Sequence, residues 1–253
     1  MNGQTHKPPV EVVFELWWQL KEVAKGVVID PHYDLLVGRV YDRLDGYPVH
    51  EALPASTMLH QVAVYNVQHR FRRSANGWPL VQIGPGILTL NDTEKYDWED
   101  FKARIPKVLK ALLQAYPKGE FKVKRVLLRQ VNAVEFNFEE NDVFAFLRNK
   151  MEIGLSIPQS LFVDTGAGDK ALAIDLRFVF PSSKPVGAVN LRFSQGQKED
   201  GAEALIWETI VQAVDDDAPK TVTEIVKWLN LAHILIADWL SKLSSTELEG
   251  MLV

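Results

Sequence analysis

The chain has 253 residues, of which 47% are hydrophobic, 24% charged and 10% aromatic, a globular balance that excludes disorder, collagen and coiled coil. Lys and Arg total 28 against 33 Asp and Glu, a formal charge of -5, so no chain-wide attraction to nucleic-acid phosphates is available. The absence of cysteine removes disulfides, cysteine nucleophiles, iron–sulfur clusters and cysteine-ligated zinc.

No segment approaches the roughly 18 uninterrupted apolar residues of a membrane span, and Met1 to Pro9 is too polar for a secretory signal, so a cytoplasmic protein is expected. Residues 1–9 read as a polar lead. From Val10 the residues Val12, Phe14, Leu16 and Trp18 alternate with Glu11, Glu15, Trp17 and Gln19, which predicts a strand with one covered face. Leu36, Val40 and Leu44 fall every fourth place and predict a helix between Asp30 and Leu44. After a loop over Gly46 to Ser56, strands are expected from Leu59 to Phe71, Trp78 to Ile83 and Ile87 to Leu90, the last two joined by a turn at Gly84-Pro85-Gly86. Asp97 is placed to cap a helix carrying Trp98, Phe101, Ile105, Val108, Leu109 and Leu112 on one face, with Pro106 expected to kink it.

A similar order follows. A long strand is expected from Lys122 to Phe138, a helix from Asn141 to Met151, and strands from Ala171 to Phe180, Ala188 to Ser194 and Ala204 to Val214. Thr221 and Glu224 form a capping box ahead of a long helix that includes Trp228, His233 and Trp239. Each half thus reads strand, helix, three strands, long helix. The expected fold is α+β, with residues 10–120 and 121–253 as tandem units of one curved antiparallel sheet whose helices lie on one face. That plan resembles the saddle of the TATA-box-binding protein and, more loosely, helix-grip ligand-binding folds; by itself it fixes no function.

Helices on one face leave the other side chains of each strand on the opposite surface. Alternation assigns to it Arg125, Arg129, Glu135, Asp175, Arg177, Arg192 and Glu208, with Glu11, Glu15 and Trp17 joining from the first strand. Mixed charge with Arg and Trp suits a protein interface better than DNA, which calls for a clear excess of positive charge. Arg129, Glu135, Arg177, Arg192 and Glu208 are therefore the candidate partner-binding residues. Gln130 and Asn132 fall on the apolar side and, with His233, form an alternative small-ligand or nucleotide cavity. His69, Arg70, Arg72 and Arg73 make the one local basic run, beside Trp78, and carry a third reading, single-stranded nucleic-acid binding by stacking.

Other chemistry finds little support. The histidines, His6, His32, His50, His60, His69 and His233, lack HExxH or any other metal-ligand spacing, and Asp215, Asp216 and Asp217 read as a loop ahead of a helix. Gly84-Pro85-Gly86 is no phosphate loop, and no serine elbow is present. Neither cofactor nor metal is expected.

Several phrases occur together and in order: Val12-Val13-Phe14-Glu15-Leu16; the run from Trp78 to Asn91; Tyr96-Asp97-Trp98-Glu99-Asp100-Phe101; Val131-Asn132-Ala133-Val134-Glu135-Phe136; Ile206-Trp207-Glu208-Thr209; and Ala232-His233 ahead of Asp238-Trp239. Over essentially the whole chain they resemble a family of sporadically distributed bacterial proteins of unknown function. The resemblance implies a gene that travels on mobile elements, as antiphage defence and toxin–antitoxin components do. The function expected is a non-enzymatic, antitoxin-like or accessory subunit that binds another protein encoded nearby, with a homodimer as the other arrangement.

Overall fold

The computed structural model describes residues 9–58, 63–93, 96–198 and 200–243, together with Leu248, Met251 and Leu252. The protein is α+β, with four helices and one large antiparallel sheet among these residues. In chain order the elements are β1 (Glu11–Trp18), β2 (Lys21–Ala24), β3 (Val27–Ile29), α1 (Tyr33–Tyr41), β4 (Val49–Ala52), β5 (His69–Arg72), β6 (Leu80–Gly84), β7 (Ile87–Asp92) and α2 (Trp98–Ala115). Then follow β8 (Val123–Glu135), α3 (Val143–Met151), β9 (Asp175–Ser183), β10 (Val186–Gln197), β11 (Glu203–Val214) and α4 (Val222–Leu243).

Nine strands form one sheet in the order β4-β5-β6-β7-β1-β8-β11-β10-β9, while β2 and β3 make a separate hairpin. The first strands expected of the two units, β1 and β8, pair in the middle, with Phe14 opposite Leu128. Alternation decides the core. Val12, Phe14, Leu16 and Trp18 are buried, and all four join Val126 and Leu128 of β8, Leu88 and Leu90 of β7 and Val211 of β11 in one hydrophobic cluster. Helix α2 adds Phe101, Ile105, Leu109 and Leu112 to that cluster, and α4 adds Ile225, Leu229, Ala232 and Ile236. A second cluster joins Val134 and Phe136 to Leu147 of α3, Phe193, Trp207 and Leu240.

The helix starts have clear causes. The Asp97 carboxylate accepts the Asp100 N–H at 2.8 Å and caps α2. At α4 the Glu224 N–H donates to the Thr221 hydroxyl at 3.2 Å while the Glu224 carboxylate accepts the Thr221 N–H at 3.0 Å, a complete capping box. Pro106 lies inside α2, which runs unbroken through it to Ala115.

Three expectations are corrected. Asp142, not Asn141, caps α3, accepting the N–H groups of Phe144 and Ala145 at 2.8 and 3.2 Å. The expected strand from Leu59 shrinks to β5, His69–Arg72; residues 59–62 lie outside the described residues, as do His6, His60 and nearly all of the polar lead. Tyr65 takes a positive φ of 59° and lays its ring on Trp17 at 4.6 Å, so the apolar composition before β5 serves to cover the sheet rather than extend it. The halves also differ in order, because the first carries the β2–β3 hairpin and four strands, not three, between its helices.

Candidate functional site

On the sheet surface opposite Val12, Phe14 and Leu16, polar side chains join in an unbroken chain. At one edge Glu51 of β4 receives Arg70 of β5 at 3.4 Å and Arg72 at 2.6 Å. The Arg70 Nε donates to the Gln82 amide oxygen at 3.1 Å, and the Gln82 amide nitrogen donates to Thr89 and to Asn91, both at 3.3 Å. Asn91 donates to Glu11 at 2.9 Å, and Glu11 also accepts Arg129 at 3.0 Å. Beyond the β1–β8 seam Glu208 lies between Arg129 at 3.7 Å and Arg192 at 3.8 Å. Arg192 ends the chain on edge strand β9 with two 2.9 Å bonds to Asp175, and this pairing holds the Asp175 carboxyl below the usual carboxylate range. Every strand of the nine-stranded sheet contributes at least one member.

Register explains the alignment, because directly paired residues of adjacent strands share a face. Glu11 pairs with Val131, Val131 with Glu208, Glu208 with Arg192 and Arg192 with Arg177. The two arginines directly opposite one another avoid a clash by turning to different partners, Arg192 to Asp175 and Arg177 to Asn190 at 2.9 Å. Of the five candidate partner-binding residues, Arg129, Arg192 and Glu208 are joined in the chain. Arg177 lies beside it, and Glu135 pairs separately with Lys198.

At the β1 C-terminal end the same surface carries an aromatic and cationic group. Arg125 lies over the Trp17 ring at 4.6 Å, Trp17 stacks on Tyr65 at 4.6 Å with rings 12° apart, and the Tyr65 hydroxyl accepts Lys124 at 3.2 Å. Burial pushes the Arg125 pKa down, against the nearby Glu15 charge. Arginines 70, 72, 125, 129, 177 and 192, with Lys124 and Lys198, thus stand against acids 11, 15, 51, 135, 175 and 208 on one face, both signs interspersed.

The alternative groupings are less joined. Gln130 and Asn132 are buried on the helix side, 3.4 Å apart, but no hydrogen bond links either to His233 among the described residues. His233 instead stacks flat on Trp98, centroids 3.9 Å apart and rings 7° apart, bridging α4 to α2, and burial lowers its pKa. The basic run divides between faces. His69 pairs with Ile83 and stacks on His50 at 5.1 Å, on the helix side, whereas Arg70 and Arg72 point to the other face and are held by Glu51. Arg72 also lies over Trp78 at 5.7 Å, and Arg73 is exposed.

Sequence reasoning missed Gln82, Thr89, Asn91 and Glu51 as members of this surface; their alternation within short strands was visible, their neighbours were not. It also missed Asp92, 3% exposed on the helix side, whose Oδ1 makes no hydrogen bond among the described residues and whose pKa burial raises to about 6. No group of three or more His, Asp or Glu side chains suited to a metal ion occurs among the described residues. Among them, no helix is long and apolar enough to cross a membrane.

No protein-family model matches the chain, and no curated protein matches its sequence. What defines the molecule is therefore its own architecture: an α+β protein whose sheet carries a continuous polar network, buried at Gln82, Thr89 and Asn91 and reached by solvent at Arg129, Arg192 and Asp175.

Proposed function

We propose that the protein is a non-enzymatic binding subunit that engages another protein through the polar face of its sheet, with Arg129, Arg192 and Glu208 at the centre and Arg177 and Glu135 flanking them. The observation that carries this reading is the chain of side chains across all nine strands, in which Arg70, Arg72, Arg129 and Arg192 each face an acid. A surface that tracks nucleic acid presents unpaired cations to phosphates; here Arg70, Arg72, Arg129, Arg177 and Arg192 already face acids or amides. A partner of complementary pattern exchanges these pairs for its own, which gives specificity more than raw affinity. Trp17 and Tyr65 supply the aromatic area in which interface energy concentrates.

The proposal extends to the architecture. Residues 10–120 and 121–253 act as two tandem units of one curved sheet, helices on one side, in the manner of the TATA-box-binding-protein saddle. Support comes from the strand order, in which β1 and β8 meet at the centre and the strands preceding each long helix, β7 and β11, flank them. The partner is encoded nearby, in a mobile defence or toxin–antitoxin setting, and the protein is cytoplasmic.

The test is co-expression with the native neighbouring genes, tagged capture through a salt wash and mass spectrometry. A stoichiometric partner released by Arg129→Glu with Arg192→Glu supports the reading. A lone monomer, or a partner indifferent to both changes, contradicts it, and a homodimer sensitive to them would assign the face to self-association.

A further inference from the structure

Strand β9 forms one edge of the nine-stranded sheet and pairs only with β10. It has nine residues, against four in β4 at the other edge. Val179 and Phe180 within it are 56% and 45% exposed, and Leu172 just ahead of it is 68% exposed. The Gln195 N–H donates to the Ile174 carbonyl at 3.3 Å, which sets the alternation of the backbone. Ile174, Leu176, Phe178 and Phe180 turn their N–H and C=O groups to β10, whereas Asp175, Arg177 and Val179 turn theirs outward. Pro181, which has no N–H to give, falls in the outward set, the place an edge strand can take a proline. The outward backbone groups of Asp175, Arg177 and Val179 bond to no other described residue. A row of this kind is a template for one more strand.

The side chains of β9 complement those of a second β9. When two copies run antiparallel with Leu176 opposite Leu176, each Asp175 stands opposite the partner's Arg177, so the twofold axis makes the opposite-charge pair twice. On the helix side the same register sets Phe178 against the partner's Ile174 and Phe180 against the partner's Leu172, apolar against apolar. Other registers that let the outward backbone groups meet are worse. Centring on Asp175 or on Arg177 sets like charges directly opposite, and centring on Phe178 sets Asp175 against the partner's Pro181, which lacks a donor.

We infer that two copies of the protein pair through β9, antiparallel and centred on Leu176, so that their sheets continue into one with the helices of both copies on the same side. The occupant of this edge is a second copy because the strand is complementary to itself in charge and in apolar pattern. The inference does not rest on the partner-face reading: it uses the backbone edge of the sheet, and Arg129 and Glu208 lie on strands inside that edge.

Analytical ultracentrifugation of the full chain across the micromolar range tests it, and a dimer is expected. Val179→Pro removes an outward N–H and leaves the ladder to β10 intact, and it should raise the dissociation constant about tenfold or more. Asp175→Lys and Arg177→Glu each set like charges opposite one another at both pairs and should each weaken self-association to a similar degree, about tenfold or more. Mixed in equal amounts, these two variants set opposite charges face to face again and should form a heterodimer, which also shows that both are folded. A chain that stays monomeric at every concentration, whether bare or with another protein's strand on β9, overturns the inference. So does a dimer that Val179→Pro leaves unchanged, or a pair of charge variants that does not associate on mixing.

Discussion

At the scale of single residues, burial sets the chemistry of Asp92. Its carboxyl sits at the end of β7 on the helix side, and removal from water lifts its pKa from 3.8 to about 6; the Thr93 N–H and the charge of Arg104 oppose that rise. A folded-state pKa above the unfolded value means that folding takes up a proton. The associated stability is fully present below about pH 4 and is lost as pH rises through about 6. The displacement corresponds to at most about 3 kcal/mol at neutral pH. Asp92→Asn should therefore raise the melting temperature near pH 8 and leave it almost unchanged near pH 3.5, which thermal unfolding at the two pH values checks. An equal gain at both would assign the effect to packing. His233 shows the contrasting outcome for a buried polar group: its ring is stacked between helices, and sequence spacing alone did not separate that role from a cavity donor.

Among the elements, the turn joining β6 to β7 shows how one glycine fixes a layer of structure. A Cβ on Gly84 would lie 1.8 Å from the carbonyl oxygen of Asn66, because the segment before β5 crosses directly over this strand. Gly84→Ala must push two backbones apart, at a cost of about 3 kcal/mol. That corresponds to a melting temperature about 6–12 °C lower for a chain of this size, and a change within about 1 °C would mean that the crossing is looser than described. The same crossing explains a misreading. The residues before His69 have strand composition, but they spend it as a cover held by the Tyr65–Trp17 stack and by the Tyr65 N–H bond to the Pro85 carbonyl at 2.8 Å. Elements set by local rules were legible: the alternation of β1, the Asp97 cap, the Thr221–Glu224 box and the Gly84-Pro85-Gly86 turn each depend on residues a few places apart. The β2–β3 hairpin and β4 were not, since strands of four, three and four residues carry too few alternations to register.

For the whole molecule, the candidate site was half legible. Alternation placed Arg129, Arg192 and Glu208 on one face, and register bears that assignment out. The continuous chain was not readable, because it depends on strand order. Glu11 meets Asn91 from 80 residues away and Arg129 from 118, and no local pattern encodes either contact. Individually the ion pairs that solvent reaches, such as Arg192–Asp175, stabilise little, about 0–1 kcal/mol, whereas the buried Gln82, Thr89 and Asn91 must find their hydrogen bonds within the fold. The central claim is that this face, and not the helix side, holds a partner protein. The most direct measurement captures the tagged protein from cells expressing its native gene neighbours and compares three forms: wild type, Arg129→Glu with Arg192→Glu, and the helix-side control Lys107→Glu with Lys110→Glu, each first shown to be folded by thermal unfolding. The account predicts one stoichiometric partner with the wild type and the control and none with the sheet-face variant; a partner retained by the sheet-face variant and lost from the control would contradict it.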